Sequence, residues 1–166
     1  MPGVDLERFF HRYRDEIINK WVHSLKTDPV GQYSGRPEEE LRGTVSEAYD
    51  DNCRVILEGD YGPIDEFIKK ITQLRLESGF ALSEVQKAFE QFRELSLPLL
   101  GKELDQEEFA DIVASVNKCL AYTIHRFSDH FQAMHEKTIR EHNLQLKEEV
   151  RKRTTELADS RRKYKT

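Results

Sequence analysis

Residues 105–166 read DQEEFADIVASVNKCLAYTIHRFSDHFQAMHEKTIREHNLQLKEEVRKRTTELADSRRKYKT and contain neither glycine nor proline. Those two residues end most helices, because glycine caps them and proline cannot continue them. Without them a single helix can run from near Asp105 out past Tyr164. At ~1.5 Å per residue, sixty residues would span roughly 90 Å, more than a small domain is wide. A helix that long needs a partner along its outer half. The stretch breaks off within a charged heptad. The expectation is therefore a helical body over residues 1–134, then a coiled-coil linker over 135–166 that leads to a further module.

Four more helices are expected before the rod. In the first, over 5–27, Leu6, Phe9, Phe10, Tyr13, Ile17, Trp21 and Leu25 form one apolar stripe at three- and four-residue steps. Asp28-Pro29 ends it. Pro37 opens the second as its first residue, with Glu38, Glu39 and Glu40 in the turn where the helix dipole favours anions. Its inward face is Leu41, Val45, Ala48, Asn52 and Ile56, and Gly59 caps it. The third starts near Pro63 and closes at Gly79. For the fourth, Ser83–Gln86 reads S-x-x-Q, a capping-box pattern. Val85, Ala88, Phe89, Phe92, Ser96 and Leu99 line its face, and Pro98 should bend or end it. Asp105 is a cap-like start for the fifth, whose stripe is Phe109, Ile112, Val113, Val116, Leu120, Ile124, Phe127 and Phe131. No segment alternates as a strand does, so the fold class is all-α.

Composition narrows the functions available. The chain has 166 residues, 34% of them charged, and a net charge of −5. Residues 136–166 hold ten Lys/Arg against six Asp/Glu, a net +4, which leaves −9 on the body. An acidic body argues against nucleic-acid binding, which needs clustered positive charge. The basic tail is interleaved with acids, as on the solvated flank of a coiled coil. No run of apolar residues is long enough for a membrane span, and the start carries no secretory leader. Two cysteines, Cys53 and Cys119, make no disulfide framework, so the expected location is the cytoplasm with both thiols reduced.

Beyond Met134 the broad stripe thins to a seam. Ile139, Leu146, Arg153 and Ser160 repeat every seven residues, and Asn143, Val150, Leu157 and Tyr164 repeat beside them. Arg153 and Ser160 weaken the end of the seam. Asn143 at a core position is a device that fixes register and two-strandedness in parallel coils. A marginal seam can hold two arrangements a few kcal/mol apart, which a distant site can bias.

Candidate chemistry is sparse. Of six histidines, His125 and His130 are the haem-ligand candidates, but the helical stripe leaves His125 about 100° from Ile124, which favours a surface imidazole. His125, His130 and His135 are five apart, and no pair has the spacing that puts two metal ligands on one helix face. Neither cysteine has a histidine base beside it, and no glycine-rich phosphate loop is present. No cofactor, no metal and no enzyme activity are expected of this chain.

Three stretches carry a resemblance: Ile17-Ile18-Asn19-Lys20-Trp21, Arg36-Pro37-Glu38-Glu39-Glu40-Leu41, and Leu76-Glu77-Ser78-Gly79-Phe80-Ala81-Leu82-Ser83-Glu84-Val85-Gln86-Lys87-Ala88-Phe89. Together they resemble the N-terminal sensor domain shared by RsbR-type co-antagonists and many bacterial sensor histidine kinases. The resemblance implies a globin-like bundle, usually without haem, that dimerises. Residues 146–157 are similar to the helical linker that joins sensor modules to PAS or kinase modules, and Ser160–Tyr164 is similar to the start of a PAS domain. His135-Glu136-Lys137-Thr138 only faintly resembles a phosphoacceptor box, lacking its apolar residue and proline. Thr154 and Thr155 lie where RsbR-type proteins carry regulatory phosphothreonines.

The function so implied is a cytoplasmic signal-input domain whose parent is a sensor histidine kinase. It would be a homodimer through its C-terminal helix, binding a small apolar ligand or a partner protein. The change would pass through Phe127, Phe131 and Met134 into Ile139, Asn143, Leu146, Val150 and Leu157. The alternatives are a stressosome-like scaffold without small ligand and a haem-based gas sensor.

Overall fold

The computed structural model describes residues 5–163. Six α-helices account for almost all of them: α1 (Leu6–Arg12), α2 (Arg14–Thr27), α3 (Glu38–Glu58), α4 (Gly62–Glu77), α5 (Leu82–Glu103) and α6 (Gln106–Lys163). A single 3-10 turn over Gln32–Gly35 joins α2 to α3. The described residues contain no strand, as the missing alternation predicts. The chain forms two units, Met1–Phe131 and Gln132–Thr166. No helix among the described residues is long and apolar enough to cross a membrane.

In the first unit α2 packs against α1, α3, α5 and the 3-10 turn. Its stripe of Ile17, Ile18, Trp21, Val22 and Leu25 is buried. Phe92 of α5 gathers the rings of Phe10, Trp21 and Tyr49 at centroid distances of 6.2, 6.3 and 5.8 Å. The single helix expected over 5–27 is two helices that meet at Tyr13. At that junction the Tyr49 hydroxyl donates to the Phe10 carbonyl at 2.6 Å in a buried bond. A side chain inserted into a helix ladder is a known cause of such breaks. Tyr13 also donates to Glu103 at 2.7 Å, tying the junction to the end of α5.

Several helix ends follow their sequence signals and others do not. Gly59 ends α3 at φ 67°, and Gly79 follows α4 at φ 79°. Gly79 completes a Schellman cap: Phe80 N–H donates to the Arg75 carbonyl and Gly79 N–H to Leu76. Asp105 accepts from Glu108 N–H at 2.8 Å and opens α6 as expected. Pro37 is the residue before α3, one place earlier than its expected first-turn position. The S-x-x-Q pattern is not the start of α5. Ala81 is the cap, and Glu84 accepts from its N–H at 3.3 Å. Gln86 instead donates to Ser128 of α6 at 2.9 Å. Nor does Pro98 end α5, which continues to Glu103. Pro98 and Glu94, whose carbonyl loses its i+4 donor, both lie on the exposed side where water can replace that bond.

The part of α6 inside the first unit is a core helix. Ile112, Val116, Leu120 and Phe127 are buried. Cys119 donates to the buried Asn52 of α3 at 3.3 Å, and Tyr122 donates to Asp65 of α4 at 2.7 Å. Asn52 lies on the inward face of α3 as expected, and accepting from that thiol satisfies its buried oxygen.

On α3, Asp51 has its carboxyl pushed up to about 6 by burial, with Glu47 and Asp50 adding to the effect. A carboxyl raised in the fold stabilises it below the unfolded value near ~3.9 and loses that contribution as the pH rises through about 6. Asp51→Asn should therefore stabilise the chain at pH 7 by about 1 kcal/mol, after discounting for solvent screening. The gain should vanish near pH 4 in urea unfolding followed by circular dichroism.

Candidate functional site

Arg75 of α4 is the largest charged side chain in the interior, at 1% exposure. Its position follows from the Schellman cap, which turns Phe80 back over the last turn of α4. The guanidinium carbon lies 5.0 Å from the Phe80 ring centroid and 4.9 Å from that of Tyr33. The two rings meet edge to face at 4.7 Å. Arg75 Nη1 donates to Glu40 Oε1 at 3.0 Å, and Arg36 Nε donates to Glu40 Oε2 at 2.8 Å. Burial pushes the Glu40 carboxyl up, but Arg36 and Arg75 outweigh it and hold it below its usual range. Burial pushes the Tyr33 phenol up to about 12, so it stays neutral. The Glu-rich first turn of α3, read in sequence as dipole complement, thus supplies the counter-ion of a buried arginine.

Above this cluster, between α2, α3, α4 and α5, lies a cavity of about 30 Å³. Trp21, Tyr33, Arg75, Phe67, Val85 and Phe89 are among the residues that line it. The buried Nε1 of Trp21 and Nε of Arg75 have no hydrogen-bond partner among the described residues. Outside it lies a groove of about 510 Å³, which shares Leu25, Tyr33 and Ala88 with the cavity wall.

The residues singled out from sequence fall in different places. His125 is exposed and His130 half-buried, and neither lines the cavity. Among the described residues no group of three or more His, Cys, Asp and Glu could hold a metal ion. Cys53 and Cys119 are buried, and burial pushes both thiols up, Cys119 to about 11, so neither is a ready nucleophile. Phe127 is wholly buried and packs edge to face on Phe89 at 5.5 Å, with Phe131 a further 5.6 Å along. Phe127 therefore belongs to the core of its own body and is not a face open to a partner. Met134 is half-buried.

In the second unit every described side chain from 135 to 163 is exposed. Ile139 and Leu146 are 47% and 45% exposed, and Val150 and Leu157 are 63% and 62%. Leu144, off the expected seam, is also exposed. Asn143 is exposed beside them. Thr154 and Thr155 donate their hydroxyls to the carbonyls of Val150 and Arg151, one turn back. Arg153 and Ser160 lie on the same exposed helix, and Tyr164 lies outside the described residues.

The sequence carried signals for Trp21 and Phe89 as core residues but none for Arg75. Its polarity in an otherwise apolar face, four residues after Ile71, is the only trace. Comparison with protein-family models, with curated proteins and with solved structures finds no match for this chain.

Removing one partner of a buried ion pair costs more than replacing the ion with an apolar group that fits. Glu40→Gln should destabilise the chain by about 3 kcal/mol in urea titrations, because Arg75 stays charged and buried. Arg75→Met should cost less, since Glu40 keeps Arg36 and a thioether packs well against the edges and faces of the Tyr33 and Phe80 rings. Glu40, held low in the fold, contributes fully above its unfolded value near ~4.3, and the contribution is lost as the pH falls below it. Glu40→Gln should remove that share of the acid-side slope.

Proposed function

We propose that this chain is a signal-input domain of a two-component sensor protein, dimerising through α6 and passing a conformational change along it. The observation that carries the reading is that α6 joins two kinds of surface on one helix. Its first half is buried in the body, where Phe127 rests on Phe89, a wall residue of the cavity. Its second half bears exposed seam residues at four- and three-residue steps, the apolar Ile139, Leu146 and Val150 with the polar Asn143 among them, and Leu157 one heptad after Val150. That heptad spacing suits a coiled coil, with Asn143, Val150 and Leu157 at one core position. A change of packing at Phe89 would reach Phe127 and Phe131 within a single aromatic row. Two registers of a weak seam, biased by that row, would make a two-state output.

The globin-like architecture and the histidine-kinase parent rest on the resemblance of residues 17–21, 36–41, 76–89 and 146–157, and the cytoplasmic location on two cysteines that make no disulfide framework. In this reading catalysis belongs to the parent's output module, and the chain itself is not an enzyme. A second reading, a scaffold that presents a surface and binds no ligand, is favoured by the small size of the cavity, which has room for little more than one water. A haem sensor would need an axial histidine in an apolar cavity, and no observation favours it over these two.

Sedimentation velocity tests the dimer. The wild-type chain should associate reversibly at micromolar concentrations. Asn143→Leu should tighten the dimer at least tenfold, about 1.4 kcal/mol. The double variant Leu146→Asp, Val150→Asp should be monomeric with an unchanged body. A wild-type chain that stays monomeric at several hundred micromolar sinks the homodimer, and with it the coil as output.

A further inference from the structure

The seam on the outer half of α6 fixes which side chains flank a pairing partner. With Asn143, Val150 and Leu157 at one core position and Ile139 and Leu146 at the other, the flanking positions follow by counting heptads. His142, Glu149 and Glu156 stand on the flank beside the first position. Arg140, Lys147, Thr154 and Arg161 stand on the flank beside the second. All seven are exposed. Between 140 and 161, therefore, one flank carries the acids and the other the bases. Glu148 and Arg151 pair with each other at 2.6 Å on the outer side of the helix and belong to neither flank.

That asymmetry decides how a second copy lies. In a parallel, in-register pair, each residue of the first flank meets the residue five places on in the second flank of the other copy. Glu156 then meets Arg161, Glu149 meets Thr154, and His142 meets Lys147. The two Asn143 amides meet each other and can exchange a hydrogen bond. In an antiparallel pair, like flanks meet. Arg140 would then face Lys147, and Asn143 would face Leu146, which leaves an amide against an apolar side chain.

In the parallel pair the contact of His142 with Lys147 is the one that can change sign. Residues three and four places from His142 are Thr138, Ile139, Gln145 and Leu146, so no carboxylate of its own helix shares its side. Glu141, its neighbour in sequence, lies about 100° round the helix. A neutral imidazole tolerates the ammonium opposite, and an imidazolium repels it. Histidine takes up its proton between pH 8 and 6, a range in which exposed lysine and glutamate keep their charge. Twofold symmetry makes the contact occur twice.

We propose that a second copy of this chain lies parallel and in register along α6, and that proton uptake by His142 opposite Lys147 weakens the pair. The inference deepens the signal-input reading and rests on its dimer. The charged imidazole is disfavoured only where Lys147 of the other copy faces it. Association is therefore strongest at pH 8 and declines as the pH falls towards 6. An antiparallel pair reverses the sign, because His142 would face Glu149 and its proton would add an attraction.

The test is sedimentation equilibrium of the full chain at pH 8.0 and 6.0 in buffer of low ionic strength, where exposed charges are least screened. The dissociation constant should rise about threefold at pH 6.0, as two like-charge contacts require. His142→Gln should dimerise as the wild type does at pH 8.0 and lose about half of that rise or more. His142→Glu should tighten the dimer about twofold at pH 8.0, since the new carboxylate faces Lys147. In an antiparallel pair the same variant would face Glu149 and weaken the dimer. A dimer that tightens at pH 6.0, that ignores pH, that keeps its full response in His142→Gln, or that weakens in His142→Glu overturns the inference and leaves the dimer standing. A chain that is monomeric at both pH values removes the inference together with the dimer.

Discussion

A guanidinium taken out of water must find its partners inside the fold, and this helical body brings a carboxylate and two rings to one. Arg75 has a carboxylate at one edge and two aromatic rings beside it, Tyr33 and Phe80, which meet each other edge to face at 4.7 Å. Each of those groups comes from a different element. Glu40 belongs to the first turn of α3, Tyr33 to the 3-10 turn, and Phe80 to the loop after α4. Meeting the charge therefore fixes four pieces of chain against one another. Lys26 adds a fifth, donating to the carbonyls of Ser34 and Arg36 and holding the 3-10 turn against α2. A buried ion pair is weak evidence for net stability, but it penalises every arrangement in which its members come apart.

The apolar core is built around that anchor. With the 3-10 turn pinned, α2 sits between α3 and α5, and Phe92 can collect three aromatic rings from α1, α2 and α3. The cavity lies where the polar anchor gives way to the aromatic core, and its lining is mostly apolar. The row Phe67, Phe89, Phe127 and Phe131 then leads from the cavity to α6 at ring spacings of 5.5 to 6.3 Å.

Much of the fold was legible because helical signals are local. The apolar stripes of α2, α3 and α6, the glycines at 59 and 79, and the Asp105 cap act within a turn or two of their own position. The misreadings share one cause, a local rule overridden by a distant contact or by solvent. Tyr49, remote in sequence, donates to Phe10 where α1 and α2 part. Glu84 displaced the Ser83 pattern because it also accepts from Gln32 N–H at 2.9 Å. Pro98 failed to end α5 because its side of the helix faces water. Phe127 has the same stripe signature whether it packs within its own body or against a partner, so periodicity could not say which.

By itself the sequence determined an all-α chain, the positions of most helices, and a final helix whose outer half carries a heptad seam. It did so because helix periodicity and capping are written in residues three and four apart. Only the tertiary structure decided that Arg75 is buried, that Glu40 answers it, and that Trp21 and Arg75 share one cavity. Those pairings join residues 35 and 54 positions apart. No local pattern encodes such a distance, and the cavity that Trp21 and Arg75 both line exists only once the helices that carry them have come together.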